Sequence, residues 1–273
     1  MRPKHTKLSK KRWMPTDFDD DLNACAAQVE RGDPERFRTV MAAPVAARAV
    51  LFPIYAFNLE VARAPYVTQE FLIAEMRLQW WRDALREIAD GGAVRRHEVV
   101  TPLARVLDPD GADALQALVD ARRRDIEKEQ FIKAADLVAH LDQGNGTLTW
   151  VAARALGAEG ADAERAARAM GRAAGLANWL RAAPALRKAG WEPMPEQGAE
   201  ELPAMGLADL ALARGLRRHI PGAAVPALRA GWLAGPVLRP ARDEFERIDA
   251  GALEPSDFSA KLRLVSLSLT GRY

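Results

Sequence analysis

Residues 48–85 read RAVLFPIYAFNLEVARAPYVTQEFLIAEMRLQWWRDAL, and this stretch decides the fold. From Ala49 to Ala62 it is apolar nearly all round, broken only by Asn58 and Glu60. A segment of helical length without a polar face is a central, buried helix. After Pro65 the pattern changes: Leu78, Trp81, Leu85 and Ile88 recur at spacings of three and four, which lays one stripe of a second helix on the core. The stretch therefore predicts a helical hairpin joined by a short turn, with the rest of the chain packed around it. Pro53 predicts a kink in the first helix, because it removes a backbone donor and crowds the preceding turn. Such a kink either leaves room for a ligand or is filled by Phe52, Tyr55 and Phe57, and aromatic filling is the commoner outcome.

Working outward, the 273 residues are enough to bury a sizeable core. Ala, Leu, Arg and Glu dominate and no run of alternating Val, Ile and Thr marks a strand, so the composition predicts one all-α domain. A formal charge of +2 is close to balance, which argues against a nucleic-acid partner. The single cysteine, Cys25, excludes an internal disulfide and reads as a small buried residue, and His/Cys clusters of the kind that hold zinc are lacking. No apolar run reaches about eighteen residues free of charge, so no transmembrane helix is expected. The first residues lack the apolar core of a secretory signal, which predicts a cytoplasmic protein.

Residues 1–16, with Lys4, Lys7, Lys10, Lys11 and Arg12, read as a basic, disordered arm; the alternative is peripheral contact with an anionic membrane surface. The domain proper is expected over 17–273. Asp17, Asp19, Asp20 and Asp21 open a helix running to about Arg31, where capping and the helix dipole explain the acids more simply than a metal does. Gly32 to Pro34 turn the chain into a short helix at 35–41, and Pro44 suits the start of the core helix. A helix from near Gly111 turns Leu115, Leu118 and Val119 to the core, with Asp120, Arg123, Arg124, Asp125 and Glu127 on a charged outer face. The helix over 136–156 is interrupted near Gly144 and Gly146, and the helix over 162–188 carries Gly171 and Gly175, which permit close backbone approach. Residues 190–205 read as a long surface loop suited to a lid or an interaction site. Three or four shorter helices follow, the last packing Leu262, Val265 and Leu269 on the core.

Three of these stretches carry a resemblance. YAFNLEVA at 55–62, LQWWRDAL at 78–85 and GRAAGLANWLRAAP at 171–184 resemble the squalene/phytoene synthase family of head-to-head prenyl transferases, with similar order over most of residues 20–200. The resemblance implies an isoprenoid-synthase-like helical barrel or bundle around an apolar tunnel, with two aspartate-rich motifs holding Mg²⁺ against a substrate diphosphate. Mg²⁺ requires hard oxygen ligands in near-octahedral array. The first motif corresponds to Ala62, Arg63, Ala64, Pro65 and Tyr66. The second would follow Asn178, Leu180 and Arg181, and its aspartate positions are Ala182 and Leu186. Retained scaffold with lost chelators is similar to a catalytically degenerate subgroup that assembles respiratory complex I in mitochondria. The matching residues are Ala56, Phe57, Asn58 and Glu60; Arg77, Leu78, Trp80 and Trp81; Leu180, Arg181, Ala182 and Pro184; and the short Arg272–Tyr273 end. The implied role is binding without chemistry or cofactor, toward a respiratory complex subunit or assembly intermediate, peripheral at the inner face of the cytoplasmic membrane.

Two alternatives stand beside that reading. Glu60, with Glu75 and Asp83 on the Glu75–Gln79–Asp83 stripe of the next helix, would replace the lost acids in a Mg²⁺-dependent prenyl transferase. Against this, Arg77, Arg82 and Arg86 lie close by, and buried acids more often pair with arginine than with metal. Asn58, Arg77, Arg82, Asn178 and Arg181 are the candidates for holding a diphosphate or other anion. The second alternative, an isoprenoid-lipid binder, needs an open cavity, and a tunnel filled by Phe52, Tyr55 and Trp80 would exclude it. His5, His97, His140 and His219 are scattered, and no GxSxG, P-loop or dinucleotide fingerprint occurs.

Overall fold

Capping acids and prolines set the first turns of the chain, whose computed structural model describes residues 19–66 and 70–273. Asp19 accepts from the Leu22 amide at 2.9 Å and starts α1 (Asp20–Gly32); Asp33 accepts from the Arg36 amide at 2.9 Å and starts α2 (Pro34–Met41). Asp21 pairs with Arg96 at 2.8 Å, so capping and ion pairing engage Asp19 and Asp21. The basic arm at 1–16 lies outside the described residues.

The central helix is α3 (Val45–Arg63), which runs unbroken through Pro53 and is preceded by Pro44 as its cap. Leu51, Phe52, Ile54, Tyr55 and Phe57 are all buried, so aromatic side chains fill the space around the proline. By length and mean hydropathy, 1.4, α3 could cross a membrane, but 67% of that window is covered by the rest of the protein, as in a core helix. Next, α4 (Phe71–Ala89) buries Leu78, Trp81, Leu85 and Ile88 as the spacing predicts. The two helices meet at Phe57 and Trp81, whose rings stand edge to face with centroids 5.4 Å apart. They do not form a tight hairpin, however: α4 lies mainly along α6, and α3 along α1 and α5.

The order continues with α5 (Val100–Val106), α6 (Pro109–Glu127), α7 (Ala134–Leu141), a π-helical turn at Asp142–Gly146, α8 (Thr147–Ala155) and the long α9 (Ala161–Lys188). The C-terminal part adds α10 (Leu202–Gly215), α11 (Val225–Leu228), α12 (Ala234–Asp243) and α13 (Asp257–Leu269), linked by short 3₁₀ turns. No strand occurs among the described residues, and one isolated bridge joins Lys133 to Gln197. The architecture of the described residues is thus all-α. Glycine explains the π turn: a Cβ on Gly171 of α9 would overlap the Asn145 carbonyl, and one on Gly175 would meet the Asn145 side chain at 3.0 Å. The Thr149 hydroxyl donates to that carbonyl at 2.9 Å.

Two expectations need correction. On α13 the buried residues are Ala260, Leu264 and Leu267, while Leu262, Val265 and Leu269 are 59%, 54% and 83% exposed. An unbroken run of alternating apolar residues, LRLVSLSL, left the inner stripe ambiguous, and the contact with the C-terminal helices selects the other face. The stretch 190–205 is a fastened strap, not a free loop. Trp191 and Met194 are buried, Glu196 and Gln197 donate backbone hydrogen bonds to Phe131 and Ile132 at 3.0 and 2.9 Å, and α10 already begins at Leu202.

The π turn sets a test of packing. Gly171→Ala is expected to destabilise the protein by about 1–3 kcal/mol, the cost of overpacking against backbone that cannot yield. Gly215→Ala, where a Cβ meets nothing within 4 Å, is expected to be neutral or slightly stabilising. Urea unfolding midpoints of the two variants check both.

Candidate functional site

The acids and cations singled out by the sequence divide among three seams. On the first, between α1 and α3, the half-buried Glu60 carboxylate accepts a hydrogen bond from the side-chain amide of Gln28. Asn58 is half-buried on the same helix. On the second, Glu75 and Asp83 line the junction of α4 with α6. Glu75 pairs with Arg123 at 3.2 Å, Arg82 with Asp120 at 2.7 Å, and Asp83 accepts from Gln79 at 2.8 Å and pairs with Arg86 at 3.5 Å. Ladders of such partly exposed pairs contribute roughly 0.2–1 kcal/mol each. Arg77 is exposed on α4. Glu60 therefore faces α1, Glu75 pairs across to α6 and Asp83 pairs within α4, and among the described residues no group of three His, Cys, Asp or Glu side chains could hold a metal.

The third seam holds Arg181 of α9. Its guanidinium donates to both carboxylate oxygens of Glu35 at 2.9 and 2.7 Å and to both of Glu254 at 2.8 and 2.7 Å. These two carboxylates raise its pKa above the ordinary arginine value, and the double fork ties α2, α9 and the segment before α13 together. Asn178, one turn earlier, is exposed beside a cavity of about 20 Å³ lined also by Glu35 and Arg36, with room for about one water molecule. Ala182 and Leu186 are half-buried on the same helix; Ala62 is half-buried at the end of α3, and Tyr66 stacks on Trp191 of the strap with centroids 5.8 Å apart.

A fourth cluster escaped the sequence reading. Asp125, placed with the outer charges of α6 by that reading, is only 3% exposed and lies between Arg122 at 2.8 Å and His140 Nε2 of α7 at 3.3 Å. His140 packs on Phe131 and Trp179, with centroids 5.3 and 6.2 Å away, and the Trp179 indole donates to the Pro193 carbonyl of the strap at 2.7 Å. Tyr66 is within electrostatic reach of Asp125 and Arg122. Burial by itself would raise the Asp125 carboxyl; the Arg122 charge and the His140 hydrogen bond outweigh it and hold the group below the ordinary carboxylate range. A signal was present: Leu115, Leu118, Arg122 and Asp125 follow one another at spacings of three, four and three, so the last two continue the apolar stripe. Chemically, the cluster is a carboxylate orienting an imidazole, enclosed by aromatic rings and the strap.

Close by, the π turn is held by charge. Asp142 pairs with Arg168 at 3.2 Å and Arg172 at 2.9 Å, and Arg172 also binds Asp209 of α10. Also on α4, the half-buried Trp80 packs at the edge of the core, edge-on to Trp81 with centroids 4.8 Å apart, and stands against Arg95, 4.8 Å from guanidinium carbon to ring centroid, and His97.

Comparison with known proteins follows the same scaffold. The sequence profile described as squalene/phytoene synthase matches residues 29–244. Complex I assembly factor 6 of NADH dehydrogenase (ubiquinone) from Homo sapiens is 23% identical over 172 residues, covering 59% of this chain and 48% of that protein. Its Drosophila melanogaster homologue is 29% identical over 167 residues, covering 59% and 50%. The chain thus spans about half the length of the curated relatives it matches. Among solved structures, a dehydrosqualene synthase in complex with ligand superposes with a TM-score of 0.78 at 14% identity, over 93% of this chain and 97% of that one. Squalene synthase HpnC from Alicyclobacillus acidocaldarius gives 0.61 at 15% identity, over 94% and 96%.

The buried cluster predicts a pH signature. A carboxyl whose pKa is lower folded than unfolded stabilises the protein above its unfolded pKa, about 3.9, and loses that contribution as pH falls through the folded value. Asp125→Asn is expected to cost about 3 kcal/mol at pH 7, as for breaking one side of a buried pair. The gap between wild type and variant is expected to narrow below about pH 4. Urea unfolding free energies measured from neutral to acid pH check the size and the sign.

Proposed function

The chain belongs to the squalene/phytoene synthase family, and on that premise we propose that it is a member that binds rather than catalyses, acting as an assembly factor for a respiratory complex of the complex I type. The observation that carries the proposal is the donor set where the family resemblance puts its two metal motifs. Ala62, Arg63, Ala64, Pro65 and Tyr66 offer one phenol as their only side-chain oxygen, and Ala182 to Leu186 offer none. These residues do not fit Mg²⁺, which takes carboxylates and water in this kind of site. The acids able to substitute are dispersed: Glu60 is engaged by Gln28, Glu75 by Arg123, and Asp83 by Gln79 and Arg86. Arg181 and Arg82, candidate anion ligands, are neutralised by Glu35, Glu254 and Asp120.

A surface-binding role is favoured over an isoprenoid-lipid carrier because Phe52, Tyr55, Phe57 and Trp81 occupy the interior around α3. Trp80, expected among them, is half-buried at the edge of the core, against Trp81. The relatives of that name supply the partner class, a respiratory complex subunit or assembly intermediate. Location at the inner face of the cytoplasmic membrane, with Lys4, Lys7, Lys10, Lys11 and Arg12 against anionic lipid, belongs to the same proposal.

The test has two arms. Purified protein with Mg²⁺ and farnesyl or geranylgeranyl diphosphate is expected to release no diphosphate and form no condensation product. A Mg²⁺-dependent product that Glu60→Ala or Asp83→Ala abolishes, with circular dichroism unchanged, would establish the enzymatic alternative instead. In a deletion strain, NADH oxidation by isolated membranes is expected to fall and to be restored equally by wild type, Glu60→Ala and Asp83→Ala. Unchanged NADH oxidation on deletion would remove the complex I role.

A further inference from the structure

Many arginines of this protein are matched by a carboxylate: Arg95 by Glu87, Arg154 by Asp108 and Asp110, Arg172 by Asp142 and Asp209, Arg181 by Glu35 and Glu254. In the C-terminal helices several arginines gather around one cleft without such a match. A cleft of about 730 Å³ opens between the end of α10, the turns at 217–224 and the last residues of α13. Arg214, Arg217 and Arg263 line it, together with Ile220, Val225 and Leu267. No carboxylate among the described residues pairs with any of these three arginines, nor with the neighbouring Arg239. Arg214 and Arg263 are half-buried, and Arg263 is aimed by its Nε, which donates to the Trp232 carbonyl at 2.7 Å and leaves its terminal nitrogens free of that bond.

Burial, and then the charges of neighbouring arginines, lower the pKa of both Arg214 and Arg263. Cations gathered without a counter-charge raise the free energy of the empty protein, and an anion placed among them relieves both effects. Guanidinium forks suit the oxygens of phosphate, and several converging on one cleft suit a multiply charged group. The remaining wall sets the apolar Ile220, Val225 and Leu267 beside Ser266, Thr270, Arg272 and Tyr273, and the volume is that of a small-molecule site. Beside the cleft, α13 turns a second feature to solvent: Phe258, Leu262, Val265 and Leu269 follow one another at spacings of four, three and four and are all exposed. Ser266 and Thr270 lie between that stripe and the arginines.

We propose that the cleft between α10 and α13 is a binding site for a phosphate-bearing amphiphile, its phosphate held by Arg214, Arg217 and Arg263 and its apolar part directed to Ile220, Val225, Leu267 and the exposed stripe of α13. The site shares no lining residue with the Ala62–Tyr66 and Ala182–Leu186 stretches. It stands independently of the assembly-factor reading.

Inorganic pyrophosphate, titrated calorimetrically into the purified chain, tests the phosphate half; sedimentation with phosphatidylcholine vesicles, with and without phosphatidylglycerol, tests the membrane source. Pyrophosphate is expected to bind, more weakly as salt rises, and to lose about tenfold in affinity for each of Arg214→Ala and Arg217→Ala, while Arg31→Ala on α1 changes nothing. Arg217 is exposed, and its one hydrogen bond is through the backbone carbonyl, which accepts from the Ile220 amide and survives truncation of the side chain, so its variant remains informative should Arg214→Ala perturb folding. Sedimentation only with phosphatidylglycerol, lost on Arg217→Ala and on Leu262→Ser, identifies a lipid headgroup. Pyrophosphate binding without sedimentation identifies a free phosphorylated compound. Absence of both, or equal binding by wild type and the Arg217→Ala variant, overturns the proposal.

Discussion

The close approach of the Asn145 backbone to Gly171 is the constraint on which the arrangement depends. Here α9 is 28 residues long, and α7, α8, α10 and α12 all pack against it. A helix surrounded on so many sides cannot carry large side chains everywhere, and α9 buries Ala163, Ala166, Ala167, Ala169, Ala173 and Ala177 besides its glycines. Small residues let neighbouring backbones come near, but they bury little apolar surface each, at roughly 25 cal/mol per Å². The larger rings of α3 and α4 compensate, which is why Phe52, Tyr55, Phe57 and Trp81 gather around α3 while α9 stays thin. A side chain at 171 would push the π turn outward and detach Asp142 from Arg168 and Arg172.

Charge is organised by the same seams. Asp142 and Asp209 fix α9 to the π turn and to α10, Glu35 and Glu254 fix it to α2 and the segment before α13, and Asp125 holds α6 to α7 through His140. Each is a carboxylate matched to an arginine at a helix junction or, for Asp125, to Arg122 on its own helix and the His140 ring across the junction. Most are partly exposed and individually modest; Asp125 differs because burial removes the water that would otherwise compete. Its aromatic surroundings and the strap seal it. The network specifies which helices meet, and the alanine-rich interior supplies little of that specificity.

Much of this was legible in the residues, for identifiable reasons. The all-round apolar run of α3 and the 78–81–85–88 stripe of α4 have one physical solution, and both are as the spacing predicts. Gly144 and Gly146 announced a break, and Gly171 and Gly175 a close approach, although only the three-dimensional pairing shows that these are the two halves of one contact. The reading failed where local pattern was degenerate. LRLVSLSL offers apolar residues on two faces of α13, so the inner stripe is decided by what lies against it. Asp125 was lost in a run of charges because polarity was weighed above position, although it keeps the register of Leu115 and Leu118. Proline and glycine in the strap suggest a free loop, whereas its backbone pairs with residues 131–134, 63 to 65 positions away in sequence, and such pairing leaves no local trace.

On the proposed function, the candidate site is a scaffold on which metal chemistry is no longer the constraint. A diphosphate site needs carboxylates left unpaired by protein so that a metal can take them, and that arrangement is costly in the absence of the metal. Once selection for it lapses, the stable solution is to pair or remove each charge. Every seam of α9 and α4 described above has that character: Arg181 closed by two glutamates, Arg82 by Asp120, Glu75 by Arg123. By the same logic, charges left unpaired are the informative ones. Arg214, Arg217 and Arg263 would be the simplest positions to neutralise, since a single acid among them would lower the energy of the empty protein. On the proposal made for this cleft, an anion that arrives from outside the chain supplies the charge that the cluster lacks.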